Sequence, residues 1–202
     1  GSGTVVLAGT ATIQNVFITN SGTGSGISAN FGTASTATIR SSTIGSGTGA
    51  YAVDISTTSG NSVAIFDEIT LNGGLRLDGS AGGTLAASAV GTNAITSSQT
   101  AALTLDTVVA DIGGITFDQI TSTGDAAGMS LDGISGTGGI TIQNATFNRS
   151  GTTTTDVVAL TDLTMTGALT IANLDIDSTN TQSFAGVQTT GTSTSTINIG
   201  TG

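Results

Sequence analysis

A period constrains this chain more than any single motif does. Ile13, Ile39, Ile65, Val90, Phe117, Ile142, Ile171 and Ile197 recur at intervals of 26, 26, 25, 27, 25, 29 and 26 residues. Thr12-Ile13-Gln14-Asn15-Val16 and Thr141-Ile142-Gln143-Asn144-Ala145 are near copies, and Thr170-Ile171-Ala172-Asn173-Leu174 is a third. A period of this size marks a repeat architecture, in which each unit buries its apolar face only against its neighbours.

Each repeat has the same internal order. Two residues after the apolar anchor stands a small polar residue: Asn15, Ser41, Asp67, Thr92, Gln119, Asn144 and Asn173. Apolar side chains then return at three and five residues past the anchor, as in Val16 and Ile18, or Ala145 and Phe147. A straight strand would put the third residue on the opposite face from the anchor. The change of parity therefore predicts a corner at the polar residue, with both flanking strands facing inward. A second alternating strand follows: Tyr51-Ala52-Val53-Asp54, Leu75-Arg76-Leu77-Asp78, Leu103-Thr104-Leu105-Asp106, Met129-Ser130-Leu131-Asp132 and Val158-Ala159-Leu160. Gly/Ser/Thr stretches such as Ser21-Gly22-Thr23-Gly24-Ser25-Gly26 read as the loops between them.

Composition supports strands over helices. Only 8% of the 202 residues are charged, too few to solvate the outer face of surface helices. Thr, Ser, Val and Ile take their place, and β-branched residues favour strands. An apolar fraction of 37% separates the chain from disordered Gly/Ser/Thr linkers. The expected fold is all-β: a right-handed parallel β-helix (β-solenoid) of about 7–8 coils, with ~26 residues per coil and no caps. Residues 1–202 read as a single solenoid segment. A left-handed hexapeptide helix needs a period near 18, and calcium-binding nonapeptide rolls need a repeated Gly-Gly-x-Gly-x-Asp; neither pattern is present.

The same composition excludes much chemistry. There is no Cys, His, Lys, Pro or Trp, and the basic residues are Arg40, Arg76 and Arg149. Thiol nucleophiles, the Ser-His-Asp relay and lysine Schiff bases are therefore unavailable. A formal net charge of −10 opposes binding to nucleic-acid phosphates. No apolar run approaches the ~18 residues of a membrane-spanning helix, and no membrane insertion is expected.

The Ile-x-Asn corners at 13–15, 142–144 and 171–173 resemble those of the right-handed parallel β-helix repeat family, the pectate-lyase-like architecture. That architecture serves polysaccharide lyases and hydrolases, phage tailspikes, and adhesin or autotransporter passenger domains. The Gly/Ser/Thr/Asn-rich, Lys-poor composition is most similar to the surface-protein branch. The resemblance implies a non-enzymatic structural role in an extracellular or cell-surface protein, as a rod, filament or adhesin stalk. Its expected partners are further coils of a longer chain, other copies stacked end to end, or glycans.

The sharpest candidate site is an acidic column. Asp54, Asp78, Asp106 and Asp132 each follow an apolar residue expected to point inward, so all four should face out on successive coils. Carboxylates ~5 Å apart repel by about 1 kcal/mol per pair even in water. A bound calcium ion, splaying or hydrogen bonds would relieve this, and the Asp-Gly pairs at 78–79 and 132–133 favour turn hydrogen bonds. No catalytic residue and no other cofactor is expected. Arg76 lies on the same outer face, where it can bridge neighbouring carboxylates; a lyase of this architecture would instead use such a basic residue, beside calcium-binding acids, to abstract a proton. Stacked carboxylates could also match the spacing of an inverting glycosidase by geometry alone. Arg40 and Arg149 read as solvated, Tyr51 and Phe66 as the only candidate sugar platforms, and Asn144 as part of an inner amide ladder. The threonines look clustered in sequence, as at 152–155, rather than spaced by coil. Neither end reads as a cap: Val5-Val6-Leu7 and Thr196-Ile197-Asn198-Ile199-Gly200 look like parts of further coils.

Overall fold

The computed structural model describes residues 4–124, 128–152, 154–179, 182–183 and 185–201. Thr153 and the first three residues lie outside them. The described chain is all-β and winds into a parallel β-solenoid of about seven turns, with about 26 residues per turn. One sheet has eight strands: Val5–Leu7, Ile27–Phe31, Tyr51–Thr57, Gly74–Asp78, Leu103–Asp106, Met129–Asp132, Val158–Thr161 and Val187–Thr190. The other has eleven, and its longest members, such as Thr36–Gly45, Asn61–Asn72, Ile140–Arg149 and Leu169–Ser178, bend around a corner. Every described pairing is parallel, so each strand meets its counterpart one coil away, near the usual 4.8 Å spacing.

Alternation along the strands builds the core. In the eight-stranded sheet Ile27, Val53, Leu75, Leu103, Met129 and Val158 stack in register and are fully buried. Two residues on, Ile55, Leu77, Leu105, Leu131 and Leu160 form a second column. Beyond the corner of the other sheet, Ile44, Leu71, Ile95, Ile120 and Ala145 form a third. Burying one such side chain contributes about 1.5–3 kcal/mol, so these columns hold the coils together.

The anchor column follows the expected line with three corrections. Ile13 pairs with Ile39, and Phe117, Ile142 and Ile171 stack in sequence as expected. Ile39, however, meets Phe66 and not Ile65, which lies half-buried on the outer side. Phe66 then meets Ala89, leaving Val90 46% exposed, and Ile171 meets Ile199 in place of Ile197. At both Ile65-Phe66 and Ala89-Val90 two adjacent apolar residues compete for one inward position. The turn before residue 61 takes up an extra residue, and that selects the second of the first pair. The corner residue of that coil moves with it, from Asp67 to Glu68.

Candidate functional site

The eight-stranded sheet carries the acidic residues on its outer face, because Val53, Leu77, Leu105 and Leu131 before them fill the core. Three of the four superpose: Asp78 pairs with Asp106, and Asp106 with Asp132. Asp54 does not join them. It is level with Arg76, while Ser56 is level with Asp78. The four-carboxylate column is thus a stripe of three with Asp54 set two residues to the side. The loop before the Gly74–Asp78 strand is short, and it shifts the sequence spacing without shifting the register.

Arg76 lies between the displaced carboxylate and the stripe. Its guanidinium is 3.4 Å from Asp54 Oδ1 and 2.5 Å from Asp78 Oδ2. Asp78 Oδ1 also accepts from the Ser80 backbone N–H at 2.9 Å and the Ser80 hydroxyl at 2.6 Å. Burial pushes the Asp78 carboxyl up, but the Ser80 hydrogen bonds and Arg76 outweigh it, and the group ends below its ordinary value. Asp54 goes the other way, because its burial outweighs the attraction of Arg76. Asp106 accepts from the Thr107 hydroxyl at 2.8 Å. Asp132 has no basic neighbour in the stripe; partial burial and then the charges of Asp106 and Asp162 raise it.

Hydrogen bonds and one shared arginine therefore hold the stripe together at its Asp78 end. Among the described residues no group of three or more carboxylates is arranged to hold a metal ion. Arg76, engaged with two acids, is not a free base. Arg40 is exposed as expected, but Arg149 is 3% exposed, and its guanidinium donates to the Thr155 carbonyl at 2.8 Å. Phe66 is buried in the core and offers no sugar platform. Tyr51 is half-buried, with its hydroxyl 3.4 Å from Thr104. The amide ladder does form, since Asn173 donates to Asn144 Oδ1 at 3.0 Å, but both residues lie on the outside. Threonines also stack by coil after all: Thr116, Thr141 and Thr170 form one outer ladder, and Thr96, Thr121 and Thr146 another.

A second feature arises from unequal loops. Between the bent sheet and the next strand of the eight-stranded sheet, residues 46–50 and 98–102 form loops in two coils, whereas Gly73 alone makes the connection between them. Side chains at Gly73 and Gly74 would run into Ser46 and the Ala101 carbonyl, so the short connection lies tight beneath its neighbours. The missing loop leaves a notch of about 310 Å³, lined by Asn20, Ser46, Thr48, Asn72, Ser98 and Gln99 among others. Gly49 N–H donates to Gln99 Oε1 at 2.7 Å across a sequence separation of 50, joining the flanking loops over the gap. The signal for it lay in the second-strand spacing: Val53 to Leu75 is 22 residues and Leu75 to Leu103 is 28.

Stacked register, inward columns and a repeated corner define this chain as a parallel β-helix repeat protein. No protein-family model, curated protein or solved structure matches it.

Proposed function

We propose that this chain is a non-enzymatic structural segment of an extracellular or cell-surface rod, extended by further coils stacked in register. The observation that carries the reading is the state of the core columns at the first and last described coils. Val5 continues the Ile27 column and is 39% exposed; Val187 continues the same column at the other extreme and is 37% exposed. Ile199 continues the Ile171 column at 40% exposure. Each is an inward position lacking the neighbour above or below that buries its equivalents. The backbone groups along those strand edges are likewise open to a further parallel strand. A low density of charge over the outer faces is compatible with close lateral and axial contact.

Electron microscopy of the purified chain tests this. Rods or fibres longer than the roughly 35 Å expected for seven stacked coils support it, and Val187→Asp should shorten them. Uniform compact particles, unchanged by that substitution, would remove the support.

A further inference from the structure

We propose that the notch beneath the Gly49–Gln99 bridge binds an uncharged saccharide, about one pyranose ring in size. The argument starts from what lines it. Every lining side chain is a carboxamide, a hydroxyl, Ala50 or a glycine, and none is ionisable. A phosphate, sulfate or uronate would give up its hydration with no counter-charge, inside a protein of net charge −10. A cation would find no carboxylate there. A polyhydroxylated neutral ligand meets neither obstacle.

The free groups match such a ligand. Asn20 is already bonded, donating to the Gly24 and Ser25 carbonyls and accepting from Gly22 N–H, and it serves as part of the wall. Ser97 and Thr100 are bonded to each other. By contrast, the side chains of Asn72, Ser46, Thr48 and Ser98 make no hydrogen bond among the described residues. A carboxamide both donates and accepts from one side chain, and so does a hydroxyl. Asn72 in the floor, with hydroxyls on both sides, therefore offers the mixed donor–acceptor pattern that adjacent sugar hydroxyls require. The bridge from Gly49 to Gln99 ties the two walls together at a fixed spacing before any ligand arrives, which limits the ordering that binding must impose. A volume of about 310 Å³ lies at the small end of the range for ligand pockets, roughly 300–1,000 Å³. Tyr51 packs its ring against Gly74 outside the notch, so recognition rests on hydrogen bonds and not on stacking.

The test is an NMR titration of the whole chain with glucose, galactose, mannose and N-acetylglucosamine at millimolar concentrations, with glucuronate as the charged control. At least one neutral sugar should shift resonances of the notch loops selectively, and glucuronate should not. Asn72 is exposed, so Asn72→Leu should leave the fold intact by circular dichroism and weaken binding ~10-fold, the equivalent of losing one to two hydrogen bonds. Lengthening the Gly73 connection to match its neighbours should abolish binding by filling the gap. No shift with any of the four sugars, equal binding by Asn72→Leu, or a response to glucuronate alone would overturn the proposal. None of these results depends on whether the coils assemble into rods.

Discussion

The first four coils and the later ones turn the same corner by different means. In the bent sheet's early coils, Asn15, Ser41, Glu68 and Gly91 occupy equivalent positions, and all four have φ between 45° and 72°. A single left-handed residue reverses the parity of the strand, so the side chains on both sides of it point inward. In the later coils that corner needs no left-handed residue. Gln143 and Asn144 both face outward between buried Ile142 and Ala145, which makes a bulge, and the Asn144 and Asn173 amides donate to the Asp118 and Gln143 carbonyls. The left-handed positions reappear after the eight-stranded sheet, at Thr107, Gly133, Asp162 and Gly191. Two local devices thus solve one problem, and the stacked core is indifferent to which is used.

Asn93 stands where the two regimes meet, and its loss should have the largest effect. It is fully buried, with Oδ1 accepting from Ile69 N–H at 3.1 Å and Nδ2 donating to the Val90 and Thr116 carbonyls at 2.8 and 3.1 Å. Its side chain links three successive coils. Asn93→Ala leaves those buried backbone groups unpaired, and should lower unfolding free energy by about 3 kcal/mol in urea denaturation. A change below about 1 kcal/mol would mean that the coils repack without it.

The corners themselves should respond with opposite signs. Thr107 is β-branched and held at φ 54°, a conformation that costs an L-residue roughly 1–2 kcal/mol. Thr107→Gly should therefore raise the unfolding free energy measured in urea, by about 1 kcal/mol, despite losing its bond to Asp106. Asn144→Gly, at a corner with ordinary φ and a working amide, should lower it by about 1 kcal/mol. The same sign for both substitutions would show that the two corners do not differ in the way their geometry indicates.

The smallest effect is the pH response of the stripe, and it separates Asp78 from Asp132. Asp78 titrates below its ordinary 3.8, so its contribution is present above that value and is lost as pH falls through the depressed folded value. Asp132 titrates above 3.8; what it contributes is present below that value and is lost as pH rises through the raised one. Asp78→Asn should lower the melting temperature at neutral pH, whereas Asp132→Asn should raise it slightly. Both differences should vanish in acid below the two folded values. Melting curves at neutral and acid pH decide this, and identical behaviour of the two variants would mean that Arg76 and Ser80 do not distinguish them.

The solenoid was legible because every coil repeats the same demand. An inward Ile, Leu or Phe recurring near 26 residues, with a parity change two residues later, leaves few ways to bury the apolar face. The outward orientation of Asp54, Asp78, Asp106 and Asp132, and the bridging of Arg76, followed from strand alternation alone. Register within apolar pairs did not follow. Ile65 and Phe66 are equally suited to an inward position, and a one-residue difference in the preceding turn chooses between them. The same cause moved Asp54 out of the stripe and opened the notch, since a shortened loop changes sequence spacing while the strands stay paired. Arg149 looked like a surface residue because its charge suggests water, yet it is buried and donates to the Thr155 carbonyl.

By itself the sequence determined that the chain is a coiled stack of strands, that one alternating apolar face of each strand turns inward, and which chemistries are missing from its side chains; it did not choose within the adjacent apolar pairs Ile65-Phe66 and Ala89-Val90. Only the tertiary structure decided which side chains sit level with one another across coils, because that depends on loop lengths summed between strands. A hydrophobic pattern specifies a face and tolerates a slip of one position in a loop. An ion pair or a ligand-sized gap tolerates none, because each needs atoms placed to within an ångström or so.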